Sequence, residues 1–311
     1  MSQSSNNSTV PFFSVVIPTY NRAALLRQNL ISVFAQQFTR YEVIVVDDGS
    51  SDESESVVNA FGCRIKFLRQ QNRGPGAARN LGINVARGEF VAFLDSDDVW
   101  FPWTLQNFHQ LAQRDSKPGF IIGSLVNFCE AAGLPSVCET KAVFREYPDY
   151  LAAAQSPDFE LLTCSSVCIR RSELLRAQGF ASGNMNGEDS DLWLRLGLVS
   201  PFAVIQNPPA CGYRRHPVSA VASTEKTCSG MRHLIETELA GGYPGGSSRR
   251  KERIEIITRH VRTASRDLGR SRNPRAASLL YRKTFSWHWQ IGRWKYLLGF
   301  WPNLLKQAVW A

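Results

Sequence analysis

The chain has 311 residues, of which 43% are hydrophobic and 20% charged, a balance that suits one sizeable core with a smaller appended unit and excludes wholesale disorder or a fibrous protein. Its net charge of +9 is unevenly placed: residues from Arg249 to Ala311 carry 15 Lys/Arg against 3 Asp/Glu, so the remainder is slightly acidic. Basic charge confined to a tail describes the tail's partner and not the core, and no nucleic acid is expected as a ligand.

The first ten residues, MSQSSNNSTV, are polar and lack a basic start followed by an apolar stretch, so 1–10 is expected to be a disordered segment and not a secretory signal. Seven cysteines, Cys63, Cys129, Cys138, Cys164, Cys168, Cys211 and Cys228, show no paired metal-ligand spacing and fit a reduced compartment. No run approaches the ~18 apolar residues of a spanning helix. The expected location is cytoplasmic, with peripheral contact at the inner face of the membrane through the tail.

From Phe13 the chain reads as strand (FSVVI, ending at Pro18), helix (Asn21 to Phe34), strand (EVIVV, Glu42 to Val46), helix (Asp52 to Phe61) and strand (Ile65 to Leu68). Another helix, Ala77 to Ala86, precedes the strand FVAFL of Phe90 to Leu94. This alternation predicts an α/β three-layer sandwich with a mostly parallel central sheet. Shorter apolar runs, Phe120 to Asn127 and Ser165 to Ile169, predict a mixed second half. The Gly/Ser-rich stretch 241–250 reads as a linker, and 251–311 as a basic helical extension. The expected partition is therefore one domain over 11–240 in two halves, 11–119 and 120–240, which the resemblance given below makes a nucleotide-binding half and an acceptor half of a catalytic domain.

In open parallel sheets ligands gather at the carboxyl ends of strands, and three polar clusters end strands here: Thr19-Tyr20-Asn21, Asp47-Asp48 and Asp95-Ser96-Asp97-Asp98. Three carboxylates within four residues repel one another unless a cation neutralises them, and hard divalent ions take such oxygens, so the last cluster is a candidate Mg²⁺ or Mn²⁺ site; a solvated capping turn is the competing reading. A carboxylate at Asp48 suits the N–H of a pyrimidine base, and equally a turn with helix capping. The stretch RGPGAARN from Arg73 lacks the third glycine of a dinucleotide fingerprint, where Arg79 stands, and it does not follow the first strand. Its small residues and Arg79 suit a diphosphate, against the plainer reading of a surface helix arginine. Glu188 and Asp189 open a helix, where acids are favoured by the dipole and where a general base would also be placed. In Tyr213-Arg214-Arg215-His216-Pro217, Arg215 is a candidate diphosphate contact and His216 a candidate metal ligand.

The ordered segments FSVVIPTYNR, EVIVVDDGSSD, RGPGAARNLGINVARGEFVAFLDSDDVW and GEDSDLWLRL resemble those of the inverting family 2 glycosyltransferases of the GT-A fold, over about residues 1 to 220. The resemblance implies a hexosyltransferase-type enzyme that moves a sugar from a nucleotide-sugar donor, a UDP-sugar first of all, to a hydroxyl acceptor in surface polysaccharide or glycolipid synthesis. It further implies that Thr19 and Tyr20 line the base pocket, that Asp48 meets the base, and that Asp95 and Asp97 form the DxD motif on ribose, diphosphate and metal. Asp98 would be a further metal ligand, Asp189 the catalytic base with Glu188 beside it, and His216 a residue closing over metal and diphosphate. The competing readings are a nucleotidyltransferase, for which Pro18 to Arg22 lacks the Gly-rich, Lys-containing loop, and a non-catalytic nucleotide-sugar-binding protein.

The tail lies outside the resemblance. Trp287, Trp289, Trp294, Trp301 and Trp310 stand among Arg282, Lys283, Arg293, Lys295 and Lys306. That mixture suits an anionic membrane surface carrying a glycan or lipid-linked acceptor, and equally a helical subdomain that packs its aromatics inward.

Overall fold

A computed structural model describes residues 10–129, 133–157, 159, 163–183, 185–215, 223–271 and 273–309. In chain order the elements are β1 (Phe13–Thr19), α1 (Ala23–Phe34), β2 (Tyr41–Asp47), α2 (Ser54–Asn59), β3 (Ile65–Arg69), α3 (Pro75–Val85), β4 (Phe90–Phe93), β5 (Val99–Trp100), α4 (Thr104–Ala112), β6 (Phe120–Gly123), β7 (Leu125–Phe128) and β8 (Val143–Tyr147). There follow α5 (Tyr150–Ala153), β9 (Val167–Arg170), α6 (Arg171–Arg176), α7 (Glu188–Arg195), β10 (Phe202–Asn207), β11 (Cys211–Arg214), α8 (Thr224–Leu239), α9 (Arg250–Arg270), α10 (Pro274–Gln290) and α11 (Trp294–Val309).

By contacts the chain divides into two compact units, the first comprising 1–146, 160–182 and 200–216, the second 147–159, 183–199 and 217–311. The first holds an eight-stranded sheet in the order β3-β2-β1-β4-β9-β6-β10-β8. The pairs β1/β2, β1/β4, β2/β3 and β6/β10 are parallel, and β9 runs antiparallel to β4 and β6. The anticipated α/β sandwich with a mostly parallel sheet is what forms.

Alternation along the strands explains the layers. Phe13, Val15 and Ile17 of β1, with Val43 and Val45 of β2 and Phe90 and Ala92 of β4, share one cluster with Leu26, Leu30 and Val33 of α1 and Leu105, Phe108 and Leu111 of α4. The opposite face packs α3, and it does so closely: a Cβ on Gly82 would meet Val16 Cγ1 at 2.4 Å, so only glycine permits this approach. The run Phe120 to Asn127, read above as one segment, is two strands in different sheets. Gly123 ends the first of them, packed so closely that a Cβ there would lie 2.3 Å from that of Ala210, and Ser124 donates its N–H to the Ile205 carbonyl at 2.8 Å. β7 then joins β5 and β11 in a three-stranded sheet, β5-β11-β7.

The second unit is helical. α9 contributes Ile254, Ile257, Val261, Ala264 and Leu268 as a continuous buried stripe. The 241–250 stretch is not an extended linker: Tyr243 is buried, and Arg253 donates to the carbonyls of Pro244 and Gly246 at 2.7 and 2.9 Å. The same unit contains α7, so the residues beyond 250 share their fold with the Glu188 segment instead of forming a separate appendage. Buried Asp191 of α7 accepts from Arg195 Nε at 2.8 Å, from the Tyr243 hydroxyl at 2.9 Å, and pairs with His233 Nε2 at 3.1 Å.

That hydrogen bond to Asp191 raises the His233 pKa above its ordinary value, against an opposing effect of burial and of Arg195, while Glu236 adds to the rise. A raised folded-state pKa gives stability that is complete below the unfolded value near 6.5 and is lost as pH climbs through the folded value. His233→Gln should therefore flatten the fall in thermal midpoint on going from about pH 6 to pH 8; an unchanged pH slope in differential scanning calorimetry would exclude the linkage.

Among the described residues no helix is long and apolar enough to cross a membrane. Cys63, Cys129, Cys138, Cys168, Cys211 and Cys228 are free thiols.

Candidate active site

The parallel register places the ends of β1, β2 and β4 side by side: Thr19 pairs with Asp47, and Val16, three residues before Thr19, pairs with Phe93, two residues before Asp95. The three polar clusters thus meet at one edge of the first unit. Asn21, with φ of 50°, turns the chain out of β1, and Asp52 Oδ2 accepts the first N–H of α1 from Ala23 at 2.9 Å. The helix expected from Asn21 begins only at Ala23 for this reason.

Thr19 is buried, and its hydroxyl has no hydrogen-bond partner among the described residues. A buried polar group left without a partner calls for water or a bound group to satisfy it. The Tyr20 ring is 46% exposed at the same edge. Asp48 is buried and fully engaged: Oδ1 accepts from Gln70 Nε2 at 2.7 Å and from the Arg73 N–H at 2.9 Å, and Oδ2 from the Gly74 N–H at 2.8 Å. It pins the loop that enters α3, where Gly74 at φ 90° precedes Pro75 in the first helical turn.

Arg79 is not a surface arginine. It is buried on α3, its guanidinium lies 5.2 Å from the Phe180 ring centre, and Nη2 donates to Asp95 Oδ1 at 2.5 Å. Asp97 pairs through Oδ2 with Arg22 Nη1. Asp98 differs from both: Oδ2 accepts from Ser165 Oγ at 2.5 Å and Oδ1 from the Arg214 N–H at 2.8 Å. Burial first, then the Asp97 and Asp95 carboxylates, push the Asp98 carboxyl well above the usual carboxylate range. Its contacts are those of an anchor inside the fold, whereas Asp95 and Asp97 face basic groups.

Three residues not singled out from sequence, together with Arg214 of the arginine pair that was, complete this edge. Arg22 pairs with Asp97; Asn29 Nδ2 donates to the carbonyls of Asp95 and Asp98, each at 2.9 Å; Ser165 Oγ also accepts the Asp95 N–H at 3.0 Å; and Arg214 Nε donates to the Asp97 carbonyl at 2.8 Å. An asparagine on the apolar face of α1 was the one readable signal. Arg215, the arginine anticipated here, is exposed and donates to Asn127 Oδ1 at 2.8 Å, because strand alternation in β11 sends Arg214 inward and its successor outward. His216 lies outside the described residues.

Glu188 and Asp189 belong to the second unit, in the first turn of α7 behind Gly187 at φ 102°. Asp189 Oδ1 accepts the Ser190 N–H at 2.6 Å. Tyr150 and His260 feel its charge: burial and then Asp189 push the Tyr150 hydroxyl up, and burial holds the His260 imidazole down while Asp189 opposes it. His260 comes from α9, so the C-terminal helices furnish part of the surroundings of Asp189.

Residues 14–168 match the model of Glycosyl transferase family 2. The chain belongs to glycosyl transferase family 2. As a glycosyltransferase it is similar to glycosyltransferase GlyG of Streptococcus pneumoniae serotype 4, 27% identical over 234 residues, covering 72% of this chain and 77% of that protein. An uncharacterized glycosyltransferase of Haemophilus influenzae is 40% identical over 160 residues, 50% of this chain and 61% of that one. The glycosyltransferase alr2836 of Nostoc is 42% identical over 110 residues, where the match spans only about a third of either chain, 34% of each. Among solved structures, S. aureus TarS 1–349 in complex with UDP-GlcNAc superposes with a TM-score of 0.60 at 18% identity, covering 90% of this glycosyltransferase and 92% of that chain. Mannosyltransferase PcManGT from Pyrobaculum calidifontis, in complex with GDP-Man and Mn²⁺, superposes with a TM-score of 0.54 at 19% identity over 97% and 87% of the two chains. At such identities the structural likeness speaks for the GT-A-type fold.

Proposed function

We propose that this glycosyltransferase moves a sugar from a nucleotide-sugar donor, a UDP-sugar in the first instance, to a hydroxyl of a glycan or lipid-linked acceptor, inverting the anomeric centre. The observation that carries the reading is the pairing at the edge of the first unit: Asp95 with Arg79, and Asp97 with Arg22. Acids and arginines arranged in this way can exchange partners, the carboxylates turning to a cation and the guanidinium forks to phosphate oxygens.

The donor set fits Mn²⁺ or Mg²⁺. Asp95 and Asp97 present hard carboxylate oxygens that are already balanced by positive charge, while both Asp98 oxygens are spent on Ser165 and Arg214. Among the described residues no group of three or more His, Cys, Asp or Glu is placed to hold a metal, so diphosphate oxygens and water would complete the shell, with His216 proposed as a further ligand. When bound, such an ion supplies neutralisation of the charge that grows on the departing diphosphate. Thr19 and Tyr20 are assigned to the base, its unpartnered hydroxyl supporting Thr19, and Asp48 is assigned to the same pocket through the loop it fixes. Arg79 and Arg22 are assigned to phosphate oxygens, Arg215 being turned outward to Asn127. Asp189 takes the acceptor proton, with Glu188 supporting it, and the sugar passes in a single displacement. The scattered cysteine spacing supports a cytoplasmic site of action, and the basic aromatic tail supports contact with the inner face of an anionic membrane in polysaccharide or glycolipid synthesis.

Asp97→Ala should lower sugar transfer by on the order of 10²–10³-fold, the usual effect of deleting one charge-stabilising group. It should also abolish the Mn²⁺-dependent part of the thermal stabilisation given by UDP. Transfer that persists undiminished in EDTA would sink the metal assignment, and a panel of nucleotide sugars in the same thermal assay identifies the donor.

A further inference from the structure

The helical unit contains a cavity of about 320 Å³ between α9 and α11. Arg262, Arg266 and Arg270, spaced one helical turn apart along α9, line it together with Lys295, and Tyr296 and Phe300 of α11 supply apolar surface. Elsewhere in the same unit arginines are matched with acids: Arg249 with Asp149, Arg253 with Glu238, Arg195 with Asp191. Here they are not. Among the described residues neither Arg262, Arg266 nor Lys295 makes an ion pair, and the one acid alongside, Asp267, meets Arg270 at 3.3 Å on the exposed surface. Burial first, then Arg293, and least of the three Arg262 hold the nearby His288 imidazole down to about 3.

Three of the four cations, Arg262, Arg266 and Lys295, have no acid partner, and guanidinium forks beside an ammonium suit the oxygens of a phosphate. We propose that this cavity binds the phosphate ester of an anionic membrane lipid. The apolar surface of Tyr296 and Phe300 suits the carbon next to the ester, which free phosphate would leave unused. The outer face of α11 identifies the source as a bilayer. Trp294, Leu298 and Trp301 recur at positions i, i+4 and i+7 and are all exposed, Leu298 to 77%. Exposed Trp289 extends the stripe, its ring 4.4 Å from that of Trp294, and Phe285 stacks on Trp289 at 6.3 Å. An exposed aromatic stripe beside unneutralised cations is complementary to an anionic bilayer surface, in which rings lie at the headgroup level and phosphates face the cations.

The test uses the full chain and needs no sugar donor, so it stands apart from the catalytic reading. Dihexanoyl phosphatidic acid, kept monomeric, should raise the thermal midpoint at concentrations at least about tenfold below those at which inorganic phosphate acts, the gain expected from burying even two methylene groups. Gly299→Leu places a side chain at the cavity wall on a helix that tolerates leucine better than glycine, and it should remove that response while leaving helical circular dichroism intact. In flotation assays the chain should accompany phosphatidylglycerol vesicles and leave phosphatidylcholine vesicles. Arg266→Gln with Lys295→Gln should weaken that association by roughly 30-fold, from the usual contribution of two cations near an anionic surface. Arg275→Gln with Arg282→Gln removes equal charge from exposed positions outside the cavity and should keep the phosphatidic acid response.

Equal action of inorganic phosphate and phosphatidic acid would overturn the lipid assignment, as would flotation with neutral vesicles to the same extent. A response to phosphatidic acid that survives Gly299→Leu and the Arg266/Lys295 change would overturn the cavity. Self-association that is abolished by Trp294→Ser with Leu298→Ser, in a chain that binds no vesicles, would reassign the stripe to a second copy.

Discussion

Asp189→Asn should lower the rate of nucleoside diphosphate release in the presence of acceptor by about 10²–10⁴-fold, the range for removing a general base, while the affinity for donor stays within a factor of about two. The substitution keeps the size of the side chain and its acceptance of the Ser190 N–H, so α7 should fold unchanged. The split matters because a residue holding the donor would alter affinity and rate together. Single-turnover measurements with saturating donor give the chemical step, and isothermal titration gives the affinity. A full-rate Asp189→Asn enzyme would move the base elsewhere and would remove the reason for assigning Glu188 a supporting role.

The largest loss of stability is expected from Arg253→Met. Arg253 and Glu238 are both almost fully buried, their charges 2.7 Å apart at Nε and Oε2, with a second contact of 3.1 Å from Nη2 to Oε1. Removing the arginine strands a carboxylate in the interior and leaves the carbonyls of Pro244 and Gly246 without their donor. A cost of about 3–5 kcal/mol is usual for breaking such a pair, and Arg250, 3.7 Å from Glu238 but well exposed, recovers little of it. The double substitution Arg253→Met with Glu238→Leu should regain most of the loss, since a well-packed apolar pair often matches a buried ion pair. Urea midpoints of the two variants decide the matter: a single substitution that costs under about 1 kcal/mol would show the pair to be solvated.

Sequence reading succeeded where the determinants are local. The alternation of β-branched runs with helical stretches predicted β1 to β4 in place, and the polar punctuation after three of those strands located the edge at which Asp48, Arg79, Asp95 and Asp97 now lie. It failed where a partner far along the chain decides the outcome. Ser165 lies 67 residues from Asp98, yet it commits one oxygen of that carboxylate, so Asp98 looked equivalent to its neighbours. Ala210 leaves no room for a side chain at Gly123, where β6 ends, and nothing near residue 123 announces it. Arg214 and Arg215 differ only by strand parity, which could not be assigned before the pairing of β11 with β5 and β7 was known. The grouping of α7 with the C-terminal helices likewise depends on contacts such as those of Asp191 with His233 and Tyr243, 42 and 52 residues away.

The amide of Asn29, buried on α1, clasps two carbonyls of the turn that bears Asp95 and Asp98. That turn is consequently shaped during folding and not on each encounter with a donor, which spares every catalytic cycle the entropy of ordering it. Rigidity of this kind lowers the ordering cost of any binding at that turn, so its shape depends on a buried, uncharged helix residue as well as on the acids.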